Sequence, residues 1–423
     1  MTTALTIFVT AAATLIVAFL LRNLSTGERK IDRKIEPCYG VEDDSFRRAV
    51  GHLLGPPITG GNRIDTLVNG DEIFPAMLAA IRGAQRTIVF ETFIYWSGEI
   101  AREMTEALAE RARAGVRIHV LLDWLGSKKM DEQLIQRMRD AGVQVERYHP
   151  IRWYNLDRIN NRTHRKLLIV DGRIGFTGGV GIADEWLGNA EDSCHWRDNH
   201  YRVEGPVVAQ MEAAFTDNWM KTHSQVLHGD DYFPALEEAG GCQAQMFRSS
   251  RNEGSESARL LFLFSMAAAQ RTLYIGSAYF VPDDMAIETL IGAKRRGVQV
   301  EILVPGRHID TEFTRKASRS RWGKLLEAGI EIWEFQPTMF HCKLLVADEC
   351  WVSVGSTNFD NRSFRLNDEA NLNVLDREFA QRQIELFRRD KKRAKLITLE
   401  KWRRRPLTEK ILEHAAGLLR PQL

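Results

Sequence analysis

The pattern H-x-K-x-x-x-x-D occurs twice in the chain, as His164, Lys166 and Asp171 and again as His341, Lys343 and Asp348. In an extended strand residues i and i+2 point to one face, so each histidine and lysine should emerge side by side while Leu167 to Val170, or Leu344 to Ala347, continue as an apolar strand. An imidazole can attack an electrophile or move a proton, and a neighbouring ammonium can neutralise developing negative charge, which together suits phosphoryl chemistry. A single H-x-K on a strand is ordinarily surface decoration, but two copies at equivalent places reverse that reading. Asp171-Gly172 reads as a turn at a strand end, so Asp171 and Asp348 are expected to brace rather than react. After Asp348 comes WVSVGSTN, where Gly355, Ser356 and Asn358 form a small-residue turn whose N–H groups, hydroxyl and amide suit nonbridging phosphate oxygens. The first motif is followed by GGVG instead, so Gly178 and Gly179 offer backbone without side chains and the two halves are expected to play unequal roles. A lysine beside each histidine would repel a cation, and no metal or other cofactor is expected.

The elements that must position these residues are themselves duplicated. Ala84 to Trp96 (AQRTIVFETFIYW) echoes Ala269 to Val281 (AQRTLYIGSAYFV), and Arg111 to Asp123 echoes Ala293 to Pro305. Asp140 to Pro150 echoes Glu327 to Pro337, and the two histidine motifs are the fourth pair, all in the same order. Such ordered self-similarity means duplication. Each half reads strand, helix, strand, helix, strand, then a histidine-bearing strand; short β-branched runs alternate with amphipathic segments such as EIAREMTEALAERARAG, closed by Gly115. The expected class is α/β, each half a mixed sheet flanked by helices. The halves differ most before the histidine, where residues 151–163 stand against only Thr338 to Phe340; the longer loop either shapes the substrate site or is a surface insertion. Phe90, Phe93, Tyr95 and Trp96 are expected in the core and the pocket wall. His149, His195, His200, His223, His228, His308 and His414 belong to no repeated motif and are expected to be structural or exposed. Whether Asp123 and Asp310 line the cleft is open.

A formal net charge of +2 does not describe a protein coated for nucleic acid. Cys38, Cys194, Cys242, Cys342 and Cys350 are odd in number and lack C-x-x-C spacing, so they read as free thiols of a reducing compartment. Ala4 to Leu21 is an uncharged run of 18 residues, about 27 Å as a helix, enough to cross a bilayer core. A cleaved signal peptide is the competing reading, but no basic region precedes the run and no A-x-A site follows it. Arg22, Arg29, Lys30, Arg33 and Lys34 lie just beyond, which places the bulk of the chain on the cytoplasmic side of the inner membrane as a single-pass protein. Basic segments at Arg388 to Lys395 and Lys401 to Arg405 either lie on an anionic membrane surface or form a solvated helix face.

The doubled H-x-K-x4-D, the G-S-x-N of Gly355 to Asn358 and the downstream Glu369 resemble the phospholipase D superfamily over Leu67 to about Arg389. Glu91 in FETFIYW, the text THRKLLIVDGRIGFTGG and the WRDNHYRVEG segment resemble bacterial cardiolipin synthases. The resemblance implies two phospholipase D-type halves with one active site at their interface. It also implies that the acid after one motif orients the histidine of the other half, Glu369 holding His164 and Asp198 holding His341. One histidine, with His164 favoured, would attack phosphorus and the other would protonate the leaving alkoxide and activate the acceptor. Donor and acceptor would both be phosphatidylglycerol, a membrane phospholipid, and no nucleic acid is expected as partner. The implied organisation is an anchor at 4–21, a juxtamembrane linker at 22–66, halves at 67–235 and 236–390, and a basic tail at 391–423. A hydrolytic phospholipase D is the neighbouring alternative. A nuclease is disfavoured by the apolar segment and near-neutral charge, and a non-catalytic scaffold by the six intact motif positions.

Overall fold

The structure is a computed structural model and describes residues 2–24, 35–36, 39–150, 160–250 and 257–418. The first half contributes strands β1 (Thr59–Val68), β2 (Thr87–Thr92), β3 (Arg117–Asp123), β4 (Gln144–Tyr148), β5 (Leu167–Val170), β6 (Ile174–Gly178) and β7 (Asn199–Glu204). The second contributes β8 (Cys242–Ser249), β9 (Thr272–Ser277), β10 (Gln299–Pro305), β11 (Glu331–Phe335), β12 (Lys343–Ala347), β13 (Trp351–Gly355), β14 (Glu369–Leu375) and β15 (Ala394–Ile397). The order is β15-β11-β10-β9-β12-β13-β14-β8-β1-β7-β6-β5-β2-β3-β4, so the two repeats run outward in matching order from a central β1–β8 pair. Two sheets were expected; antiparallel pairing of Thr59 with Ala244 and Asn62 with Cys242 fuses them into one.

Strands such as β2 and β12 are buried along their whole length because helices cover both faces, which is why they read as unbroken apolar runs. In the first half, helices Asn69–Gly83, Glu99–Arg113 and Glu132–Asp140 pack on one face. Helices Val208–His223 and Arg377–Lys391, one from each half, enclose a second core that holds Val89 and Leu167 of one repeat together with Val346 and Leu372 of the other. Because that core belongs to both halves, neither is expected to fold without its partner.

Both ends of the repeat region extend past the expected boundaries. Within 22–66, helix Asp44–Leu53 places Phe46 against Phe264, stacked at 5.1 Å, and edge-on to Trp351, so this segment is part of the second half's core rather than a free linker. Residue 390 falls in the last turn of helix Arg377–Lys391, and β15 then closes the sheet antiparallel to β11, so residues 391–397 are structural and not a tail. The backbone of Thr2–Leu24 is helical, with side chains 2, 16 and 19–24 outside the described residues; among the described residues no helix is long and apolar enough to cross a membrane. The long loop before His164 lies at 151–159 outside the described residues. Cys194, Cys242, Cys342 and Cys350 are free, and Cys38 is outside the described residues.

Candidate active site

The two histidines sit just ahead of β5 and β12, not within them, and what fixes them is the opposite half. The His164 N–H donates to Asp368 O at 2.8 Å and the Asp368 N–H to Arg162 O at 2.9 Å. The His341 N–H donates to Arg197 O at 2.8 Å and the Arg197 N–H to Met339 O at 2.9 Å. Asp368 and Arg197 immediately precede Glu369 and Asp198, so each two-bond bridge registers a histidine against the acid of the other repeat. His164 Nδ1 lies 3.0 Å from both carboxylate oxygens of Glu369, and His341 Nδ1 lies 2.7 Å from Asp198 Oδ2. This is the crossed pairing that the resemblance implied. A carboxylate on Nδ1 fixes the tautomer in which Nδ1 carries the proton and Nε2 holds a lone pair.

Each lysine curls back over its own motif. Lys166 Nζ donates to His164 O at 2.8 Å, and Lys343 Nζ donates to His341 O at 2.5 Å while lying 2.9 and 3.0 Å from the two ring nitrogens of His341. Burial pushes both imidazoles down to about 4, with the lysines adding to the effect and the acids opposing it, so both rings are neutral at pH 7. Burial also lowers Lys166 to about 7 and lowers Lys343. It works to raise the acids, but the facing histidine and nearby lysines outweigh it and hold Glu369 and Asp198 below the usual carboxylate range. At pH 7 the buried centre thus sets two lysines, their charge weakened by burial, against two ionised carboxylates and two neutral imidazoles, and an incoming anion such as a phosphodiester would favour the protonated lysines.

Asp171 and Asp348 perform one job in duplicate. Asp171 accepts the N–H groups of Gln85, Arg86 and Thr87 at 2.7–2.9 Å, and Asp348 accepts those of Gln270, Arg271 and Thr272 at 2.7–3.0 Å. The repeated A-Q-R-T text is therefore the partner of the motif aspartate, and the bracing geometry is present in both halves. Asp171 and Gly172 turn with φ of +53° and +61°, whereas the second turn places Asp348 and Glu349 at +51° and +60°, a conformation that disfavours side chains.

The turns after the motifs differ from the phosphate-holding expectation. Ser356 Oγ donates to Glu369 Oε2 at 2.5 Å and accepts from the Ala370 N–H at 2.9 Å, so this hydroxyl steadies the acid. Asn358 Oδ1 and Thr357 Oγ1 are buried without partners among the described residues and remain the turn's available polar groups. In the first half the Gly179 N–H is taken by Asn199 O, and a Cβ on Gly179 would come within 2.3 Å of Asp198 Oδ1. Gly179 is small so that Asp198 can fit, and Trp186 Nε1 supplies at 3.1 Å the donor that Ser356 supplies to Glu369.

Around this centre Phe93 stands edge-on to His164 at 5.3 Å, and Trp186 and Trp196 flank His341 at 5.2 and 5.5 Å. Phe90 and Tyr95 are core, and Trp96 lies beneath the Lys129 ammonium. Asp123 is buried behind His164, accepting the Thr163 N–H at 3.1 Å, while Asp310 is exposed and accepts the Tyr279 hydroxyl at 2.5 Å.

Three charged groups that sequence reasoning passed over hold the halves together. Arg165 is fully buried between His164 and Lys166 and reaches Glu369 O and Ser249 O of the second half. Arg197 forms a buried fork on Asp390 at 2.8–3.0 Å and also donates to Asp198 O at 2.6 Å. Asp390 is the lone acid of RRDKKRAK, a run expected either on an anionic membrane surface or on a solvated helix face; Lys391 in the same run pairs with Glu301 and Glu331. The available signal was an acid embedded in a basic run beside an arginine adjoining the orienting acid.

Fold and site together define a duplicated protein of the phospholipase D type, with paired H-x-K strands meeting at one centre. Residues 77–219 and 263–391 match the family model described as cardiolipin synthase, phospholipase D-like domain, and the chain belongs to that family. It is 33% identical over 370 residues to a cardiolipin synthase of Geobacillus kaustophilus, covering 87% of this chain and 74% of that one. It is 34% identical to cardiolipin synthase A of Pseudomonas fluorescens, covering 89% and 78%. In fold it is similar to phosphatidylserine synthase of Haemophilus influenzae, TM-score 0.67 at 14% identity over 85% of this chain and 95% of that one. It also shares fold with polyphosphate kinase of Porphyromonas gingivalis, TM-score 0.53 at 12% identity over 92% and 57%.

Proposed function

We infer that the protein is a cardiolipin synthase-type phosphatidyltransferase that joins two phosphatidylglycerols and releases glycerol. The observation that carries this reading is the crossed histidine–acid pairing, two neutral imidazoles each held by a carboxylate of the other repeat, in a chain of the cardiolipin synthase family. His164 Nε2 attacks the phosphorus of one phosphatidylglycerol; the phosphorus–oxygen bond to its glycerol headgroup breaks, and glycerol leaves with a proton from His341. The approaching phosphodiester supplies the negative charge that favours protonated His341 before that step. His341 then takes the proton of a second phosphatidylglycerol's glycerol hydroxyl, whose oxygen attacks phosphorus and frees His164. Lys166, Lys343 and Asn358 hold the charge on the equatorial oxygens, and no metal takes part. His164 is favoured as nucleophile because Glu369 faces its Nδ1 with both oxygens, leaving Nε2 clear of its own lysine, whereas Lys343 lies against both nitrogens of His341.

We further propose, from the uncharged run Ala4 to Leu21 whose later side chains lie outside the described residues, that the N-terminal segment serves as a single inner-membrane anchor, with the catalytic body cytoplasmic. Its exposed Leu5, Ile7, Phe8 and Leu15 support this reading, as does the basic segment that follows in the sequence. The test is mass spectrometry of the products from purified full-length protein and phosphatidylglycerol vesicles. Equal amounts of cardiolipin and glycerol are expected. Phosphatidic acid alone would make the protein a hydrolase, and inertness towards lipid with cleavage of single-stranded DNA would make it a nuclease.

A further inference from the structure

Among the described residues, large apolar side chains stand exposed mainly in two places. One is the N-terminal helix; the other is helix Leu407–Leu418, where Leu407, Ile411 and Leu412 are 75%, 67% and 51% exposed. The second helix is not loosely attached. On its inner face Glu413 is buried and accepts from Arg319 at 3.0 Å and Arg405 at 2.9 Å, and Ala416 packs with Ala317 and Val281. Residues 407 and 411 are one helical turn apart, so the three aliphatic side chains form an outward stripe on a rigidly held element.

That element is tied to the catalytic turn. The Val281 N–H donates to Phe359 O at 2.8 Å, and Phe359 follows Asn358 directly. Exposed Lys401, Arg403 and Arg404 lead into the helix. Arg403 and Arg404 are held only by surface pairs, to Glu327 at 2.7 Å and Glu400 at 2.8 Å, which an anionic surface can replace at little cost. The stripe covers on the order of a few hundred Å², well short of the roughly 800 Å² per partner that a stable dimer needs. Apolar side chains beside cations on a helix lying along a surface match the lipid interface instead.

We propose that helix Leu407–Leu418 inserts its Leu407, Ile411 and Leu412 face into the interface of an anionic lipid bilayer and so seats the catalytic turn at the membrane surface. This deepens the reading above, on which its choice of a lipid partner rests. The N-terminal helix tethers the chain, and the C-terminal helix orients it.

The test places a photoreactive benzoylphenylalanine at position 411 of the full-length protein in phosphatidylglycerol–phosphatidylcholine vesicles and identifies the adduct by mass spectrometry. Adducts to lipid acyl chains are expected; adducts to a second copy, to the N-terminal helix, or to nothing would overturn the proposal. As a second measurement, Ile411→Glu with Leu412→Glu should cut turnover of bilayer phosphatidylglycerol at least ten-fold. Turnover of a short-chain phosphatidylglycerol, dissolved below its micelle concentration, should stay within two-fold. Equal loss on both substrates would mean that the helix merely supports the fold. Should neither substrate be turned over by the parent protein, the enzymatic reading fails while the lipid adduct still decides the docking.

Discussion

His164 meets both oxygens of Glu369, whereas His341 meets one oxygen of Asp198 and carries the Lys343 ammonium against its ring, and on the proposed mechanism this inequality divides the labour between them. Loss of an orienting acid of this kind lowers rate by about 10² to 10⁴. Glu369→Ala should slow formation of the covalent intermediate, and Asp198→Ala should chiefly slow its transfer to the acceptor; rapid-quench kinetics separates the two steps. Normal rates in both variants would remove the crossed pairing from the mechanism. The lysines make a second prediction. Burial holds Lys166 near 7, so its ammonium, needed to receive the phosphodiester, is lost as pH rises through that value. The profile of kcat/KM should therefore fall on an alkaline limb near pH 7, and Lys166→Arg, which cannot deprotonate, should move that limb upward. A limb unmoved by the substitution would assign it to another group.

At the scale of elements, the motif aspartates act through the strands they brace. Asp348 satisfies three consecutive N–H groups at the start of β9. Removing it leaves those donors unmet in a partly buried setting, and Asp348→Ala should cost about 2–4 kcal/mol of stability in denaturant titration. Activity per folded molecule should hold; a well-folded but inactive variant would place Asp348 in the chemistry. That bracing role was legible because a short polar residue at a strand end has few uses, and the repeated A-Q-R-T gave the partner without naming it. Ser356 was not: its spacing in G-S-x-N is compatible with touching phosphate or touching the acid, and only the fold of β14 beside the turn brings Glu369 within 2.5 Å. The basic run around Asp390 misled for a similar reason. Charge along a sequence is read as surface, but Arg197 arrives from 193 residues away to bury that one acid.

At the scale of the molecule, duplication was fully visible as ordered echoes, whereas fusion into one fifteen-stranded sheet was not, because the β1–β8 pair that joins the repeats lies outside every echo. The same limit hid helix Asp44–Leu53, whose Phe46 completes the second half's core. The boundary matters for truncation. Deleting Met1 to Arg22 should release the protein at least partly from membranes with its unfolding transition unchanged, whereas deletion to residue 66 should destroy folding, by sedimentation and circular dichroism. Insolubility of the shorter deletion would mean that the N-terminal helix packs into the body. Because the orienting acid of each histidine comes from the other half, each repeat alone should be inactive. The most direct measurement of the shared site is to quench the reaction with phosphorus-labelled phosphatidylglycerol in denaturant at alkaline pH, where a phosphorus–nitrogen bond survives, and to map the labelled peptide. Label on His164, and none in His164→Ala, is the expected result; label on His341, or turnover without any covalent phosphate, would contradict the account.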